Sequence, residues 1–271
     1  MFLNCLDRVA DWNPQLFREL KGRLNAHNVG LAVVSSLVIQ LLLFLFWWQD
    51  SFQKQFLSLN VIIIFALLVV GSYLLISDLA KEERRGTLNF IRFSPQSAQS
   101  ILIGKMLGVP VLLYLAVLLA IPLNLGLGLS AHIPFLVIFC FYAVLVASCA
   151  FFYSIALVLS LVSPWFSGLQ AWLGGGAVFW FLFFTTNQAV PQSPTGWLNL
   201  FSPSGVLLYL VNLAESAEND TDLSYYLFGA NNHQLFDHLD ISDLEWFNLP
   251  LGATFLSLVI FTLLNYGFGT Y

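Results

Sequence analysis

The sequence predicts an all-α membrane protein with six transmembrane helices, and three observations lead there. Of its 271 residues, 58% are hydrophobic and only 9% are charged, where a soluble domain carries about 25%. The apolar residues, at a mean hydropathy of +0.80, gather into runs of roughly the 20 residues that a helix needs to cross ~30 Å of hydrocarbon. Nine of the ten basic residues fall on one side of the spans that those runs define. This length leaves no room for a sizeable soluble domain beside six spans, and the net charge of −5 gives no reason to expect nucleic acid as a partner.

Residues 1–27 read as a cytoplasmic connecting segment. Asn13-Pro14 pairs an N-cap residue with proline at the first helical position, so a helix starts there. Leu16, Leu20 and Leu24 recur every four residues with Phe17 beside them, and Arg18 and Lys21 take another face. Pro14, Leu16, Phe17, Arg18, Leu20, Lys21 and Leu24 therefore make an amphipathic helix expected to lie on the inner membrane surface. Acidic, basic and proline residues fill this segment, and no small-residue cleavage site follows, so the first span is expected to be retained.

Residues 28–271 read as one transmembrane domain. Spans one and two, about 28–48 and 57–79, form a hairpin with Trp47 and Trp48 at the level of interfacial aromatics. Span three, about 100–129, contains Pro110 and Pro122; span four, about 133–162, is entered through Pro134. Both are long enough to tilt or kink. Span five covers about 168–186, after Ser163-Pro164, and span six about 249–266.

Orientation follows from the charges. Arg8, Arg18, Lys21 and Arg23 precede span one, and Lys81, Arg84, Arg85, Arg92 and Lys105 lie between spans two and three, with only Lys54 on the opposite side. By the positive-inside rule both termini and the 80–99 loop are expected in the cytoplasm, in a bacterial plasma membrane. The 187–248 segment is then extracytoplasmic; it has no Lys or Arg and holds every acidic residue beyond Glu83. Within it, Ser202-Pro203-Ser204 introduces an apolar stretch, 206–214, that suits a re-entrant or interfacial helix. A seventh span beginning near Trp197 is the competing reading, and it would place the C-terminus outside.

The spans exclude several functions. From Met106 to Ala214 there is no Asp, Glu, Lys or Arg, whereas proton- and voltage-driven machines keep ionisable groups in the membrane because those groups carry the coupling. A sodium site made of carbonyls and hydroxyls is still compatible with that composition. No Gly-x-Ser-x-Gly or His-Glu-x-x-His motif occurs, so catalytic residues are not expected. His233, Asp237 and His238 offer metal-ligand chemistry, but in a solvated acidic loop their spacing assigns no metal. Cys5, Cys140 and Cys149 share no CxxC spacing and read as packing residues. The glycines of Gly104-x-x-x-Gly108 and Gly174-Gly-Gly176 read as sites of close helix approach.

The charged stretch from Lys81 to Lys105 holds half of the chain's Lys and Arg. Span two runs on as helix through Arg85, Gly86 breaks it, and Thr87 caps a short helix of Leu88 to Phe93. Leu88, Phe90, Ile91 and Phe93 are too apolar for a free loop. From the residues alone, the short helix reads equally as a lever between two spans or as an anchor dipping into lipid.

Glu82-Glu-Arg-Arg-Gly-Thr-Leu88, a serine-proline break and Ile103-Gly-Lys105 resemble the cytoplasmic signature of ABC-2 type transporter permeases, the membrane subunits of ATP-binding-cassette exporters. The Asn13-Pro-Gln-Leu-Phe-Arg-Glu-Leu20 opening and the order of spans are similar to that family as well. Asn89 departs from it, standing where an acidic residue is common, and so does the short tail after Tyr266. The resemblance implies that Glu82, Glu83, Arg84 and Arg85 steer an ATPase partner, that Gly86 and Thr87 shape the turn, and that Leu88, Phe90, Ile91, Arg92 and Phe93 make the contact. It also implies a homodimer or heterodimer of permeases, with ATP and magnesium on the partner ATPase. This chain has no Gly-x-x-x-x-Gly-Lys-Ser/Thr loop and needs no cofactor of its own. A gradient-driven transporter or channel and a noncatalytic assembly factor are the other readings.

Overall fold

A computed structural model of the chain describes residues 10–47, 51–86, 97–131, 133, 135–162, 169–187, 201–203, 245–246, 249–250 and 259–264. Seven helices carry the architecture of these residues: α1 (Pro14–Arg23), α2 (Ala26–Phe46), α3 (Phe52–Arg84), α4 (Ala98–Gly108), α5 (Val111–Ser130), α6 (Phe135–Val162) and α7 (Gln170–Asn187). Two short strands, β1 (Glu245–Trp246) and β2 (Leu249–Pro250), pair antiparallel. Among the described residues four helices are long and apolar enough to cross a membrane, namely α2, α3, α5 and α6 from Val137 onward, so the chain is an integral membrane protein.

The predicted spans shift in instructive ways. Span two extends to Arg84, because no helix breaker stands between Leu79 and Gly86; Gly86 then takes a φ of 70°, the left-handed conformation that glycine adopts without cost. Span three divides at Val109 and Pro110 into α4 and α5. Proline has no N–H for the carbonyl four residues earlier, that of Met106. The Tyr114 hydroxyl donates to the Met106 carbonyl instead, at 2.9 Å. Span five is the 18-residue α7, whose polar ends keep it short of a full apolar span. Of span six, Leu249 and Pro250 lie in β2 and 259–264 is helical. Thr87, the 88–93 contact helix, His132, the 206–214 helix and the His233/Asp237/His238 group lie outside the described residues.

α3 and α6 form the centre of the bundle. Phe56, Leu68, Leu75 and Ile76 of α3 and Ile138, Phe141, Leu145 and Tyr153 of α6 are among the largest fully buried side chains. α2 packs on α5, α4 and α5 pack on the flank of the central pair, and α7 covers α3. Two of the three glycines read from sequence in α7 sit at these contacts: a Cβ on Gly174 would stand 2.2 Å from Ile76 Cδ1, and one on Gly175 would stand 3.2 Å from Tyr73 Cβ, whereas Gly176 faces open space.

A single π-helical stretch, Phe65–Val70, interrupts α3. Widening the turn removes the regular i→i+4 pairing, and a carbonyl left without a donor in hydrocarbon costs several kcal/mol. Tyr153 supplies the donor: its hydroxyl bonds the Leu67 carbonyl at 2.7 Å. Gly71 makes room for that hydroxyl, because a Cβ there would lie 2.2 Å from it. Deeper toward the other end of the bundle, Asn60 and Asn124 exchange side-chain hydrogen bonds of 3.1 and 2.7 Å. Asn124 also donates to the Tyr142 hydroxyl at 2.7 Å, which ties α3, α5 and α6 together through amide groups.

Gly71→Ala is expected to destabilise the protein by ~1–3 kcal/mol through overpacking. The added Cβ would meet the Tyr153 hydroxyl at 2.2 Å and its ring carbons Cζ and Cε1 at 2.7 and 2.8 Å, so both single changes disturb the same hydrogen bond to Leu67, and the combination with Tyr153→Phe should cost less than their sum. Thermal unfolding of the four proteins in detergent checks the cycle, and strict additivity would contradict the proposed contact.

Candidate functional site

The first element of the site is α1, and its position is set by its cap. The Asn13 side chain accepts from the Leu16 N–H at 3.0 Å while its amide donates to the Ser100 carbonyl at 2.8 Å, so one residue both starts α1 and ties it to α4. Below that bond α4 presents Gly104 and Gly108. A Cβ on Gly104 would stand 2.9 Å from the Gln15 side chain, and one on Gly108 would stand 2.5 Å from Glu19 Cβ. The GxxxG pair therefore brings α1 into close contact with α4.

This docking alters the reading of α1 as a lipid-bound amphipathic helix. Gln15, Leu16 and Glu19 are its buried residues, so two of the three side chains on its inner face are polar, and they face protein. Phe17, Leu20 and Leu24 are half-buried, and Pro14, Arg18 and Lys21 are exposed. The Lys21 ammonium sits 5.8 Å from the centre of the Phe17 ring, a cation–π spacing.

Glu19 enters a charge cluster that joins three helices. Lys105 of α4, 2% exposed, directs its ammonium to Glu19 Oε1 at 2.9 Å, Asp78 Oδ2 at 2.5 Å and Glu82 Oε1 at 2.8 Å. An ammonium has three N–H donors, and here each has one carboxylate. Asp78 and Glu82 lie one turn apart on α3, which places both on one face. Arg23 of α1 meets the remaining oxygens of Asp78 and Glu19, contacting Asp78 Oδ1 at 2.5 Å and Glu19 Oε2 at 3.3 Å, and Arg18 shares Glu82 Oε1 with Lys105 at 2.8 Å. Three cations thus balance three carboxylates.

The electrostatics favour a charged Lys105. Burial pulls its pKa down, and the Asp78 and Glu19 carboxylates, with hydrogen bonds to Asp78 and Glu82, more than offset that, leaving it above the ordinary lysine value. Carboxylate oxygens of Glu19, Asp78 and Glu82 come within 4.8 Å of one another, a spacing suited to one cation. The Lys105 ammonium is that cation, so the cluster reads as a structural ion network.

The five charged and turn residues of the predicted contact loop that the structure describes separate into two groups. Glu82 belongs to the cluster, whereas Glu83, Arg84, Arg85 and Gly86 lie at the end of α3, with Arg84, Arg85 and Gly86 exposed and Glu83 also on the outer surface. Comparisons with protein families, curated proteins and solved structures returned no match to this chain. The residues that sequence reasoning passed over are Glu19 and Asp78, and Lys105 figured only as a basic residue ending a motif. A signal was present: Asp78/Glu82 and Glu19/Arg23 are i,i+4 pairs, each placing its charges along one helix face beside an apolar run.

Lys105→Met should destabilise the protein by ~3–5 kcal/mol, the effect of leaving buried carboxylates without their partner. Adding Asp78→Asn to that variant should recover part of the loss. Unfolding midpoints in detergent measure both, and an additive double variant would show that the two side chains are not coupled.

Proposed function

We propose that this chain is the permease subunit of an ABC-2 type exporter, moving an unidentified substrate with ATP hydrolysed on a separate cytosolic ATPase. One observation carries the reading. Glu82 and Lys105, near the two ends of the charged stretch that resembles the family's docking element, meet at 2.8 Å. The two ends of that stretch are therefore joined in one base, which also holds α1. Force applied there by a partner passes to α3, to α4 and to the N-terminal helix together, which is the mechanical requirement for coupling a motor to membrane spans.

The distribution of charge supports the same reading. Arg18, Lys21 and Arg23 of α1, Lys81, Arg84 and Arg85 of α3 and Lys105 of α4 collect at one end of the bundle, through the docking of α1 and the ion pairs, while Lys54 begins α3 at the other. Taking the basic end as cytoplasmic puts both termini, the ATPase and its ATP and magnesium on one side, with six spans and an acidic outer segment between spans five and six. Glu83, Arg84 and Arg85 then steer the partner, and Leu88, Phe90, Ile91, Arg92 and Phe93 supply the contact. A second permease completes the transporter as a homodimer or heterodimer.

Purification in a gentle detergent should bring down an ATPase with the chain, and Arg92→Glu and Phe93→Ala should lower that partner's ATPase activity without loss of the folded permease. If no ATPase accompanies the protein and transport persists after ATP depletion but collapses with an ion gradient, the exporter reading is wrong.

A further inference from the structure

Between α5 and α6 lies a pocket of about 380 Å³, within the ~300–1,000 Å³ of small-molecule sites. Its mouth is bordered by Leu107, Leu118 and Val146, all strongly exposed, and its floor by Leu67, Cys149 and Tyr153, all buried. α5 and α6 are both candidate membrane spans, so the mouth faces the bilayer. Along α6 the lining runs from Tyr142 to Tyr153, a distance of about 16 Å at the helical rise. The pocket is thus elongated along the helix axes, the direction taken by lipid chains.

The chemistry of the wall narrows the ligand further. No Asp, Glu, Lys, Arg or His lines it, and of its three tyrosines two have spent their protons, Tyr114 on the Met106 carbonyl and Tyr153 on the Leu67 carbonyl. Tyr142 differs. Its hydroxyl accepts from Asn124 at 2.7 Å, and among the described residues its own proton has no acceptor. The wall is therefore apolar with a single O–H donor, at the end away from the Lys105 cluster.

We propose that this pocket binds one acyl chain, entering from the bilayer between α5 and α6 and lying along α6, with its carbonyl oxygen accepting from Tyr142. A wholly polar or charged ligand would lose its hydration here without compensation, whereas an acyl group gives the wall methylenes and gives Tyr142 its one acceptor. The site rests on the geometry of the pocket and is independent of the exporter reading.

The full chain, reconstituted without any ATPase into vesicles of phosphatidylethanolamine and phosphatidylglycerol, tests this. The probes are a phosphatidylglycerol carrying a diazirine midway along one chain and the matching diazirine fatty acid. After irradiation, label should concentrate on the α5 and α6 peptides over α2, whose apolar surface is more open to lipid than theirs. The probe that gives the excess identifies a membrane lipid or a free fatty acid as the source. Ala150→Phe, which fills the pocket, should abolish the excess, and Tyr142→Phe should reduce it several-fold, with label on α2 unchanged. Val146→Trp at the mouth serves the same purpose should Ala150→Phe fail gel filtration. Equal labelling of α2, α5 and α6, or an excess that survives the filling variant, overturns the site; an excess indifferent to Tyr142→Phe overturns its carbonyl contact.

Discussion

The Lys105 ammonium among Glu19, Asp78 and Glu82 is the interaction on which the base of the molecule depends. Burying such an ion costs several kcal/mol, which only near-complete pairing offsets. Three donors facing three carboxylates meet that condition, and they do so only when α1, α3 and α4 stand in one arrangement. Sliding α3 by a residue would rotate Asp78 and Glu82 away from the lysine. The cluster therefore specifies register more than it adds stability. The outer arginines contribute in proportion to their burial: Arg18, half-exposed, adds little, while Arg23 closes the side that faces α1.

Within the apolar part of the bundle a related constraint operates through backbone carbonyls. At two places where regular pairing is broken, a side chain from elsewhere supplies the missing donor. Tyr153 does so for Leu67 at the π-helical turn, and Tyr114 for Met106 at Pro110. In water these breaks would be solvated. In hydrocarbon they require a protein partner, and the two tyrosines thereby fix α5 against α4 and α6 against α3. The same commitments leave the Tyr142 O–H as the one free donor in the wall between α5 and α6, so the packing solution also sets the chemistry of the pocket.

Much of this was legible in the sequence and some was not, for physical reasons. Asn13-Pro14 and Gly86 act as local signals, decided by the residue and its immediate neighbours, and both fall where the sequence puts them. Apolar runs locate helices well, since span length is set by the bilayer, but they do not show that Pro110 divides one run into two helices. The glycines announce close approach without naming the neighbour; that Gly104 and Gly108 receive α1 is a tertiary fact. The cluster was hidden for the same reason, because Glu19, Asp78 and Lys105 are far apart in the chain and each is individually an ordinary charge near a membrane surface. Leucine periodicity in α1 pointed to lipid, whereas the polar side of that helix found the better partner in a buried lysine.

If α1, α3 and α4 form one unit, force applied at that unit passes to the spans of α3 and α4 without first deforming it. Hydrogen–deuterium exchange on the membrane-reconstituted protein examines that unit most directly. The account predicts slow exchange for the α1 amides after the first turn in the native chain, and fast exchange of those same amides in Lys105→Met while the central part of α3 stays protected. Rapid exchange of α1 in the native protein, or protection of α1 that persists without Lys105, would contradict it.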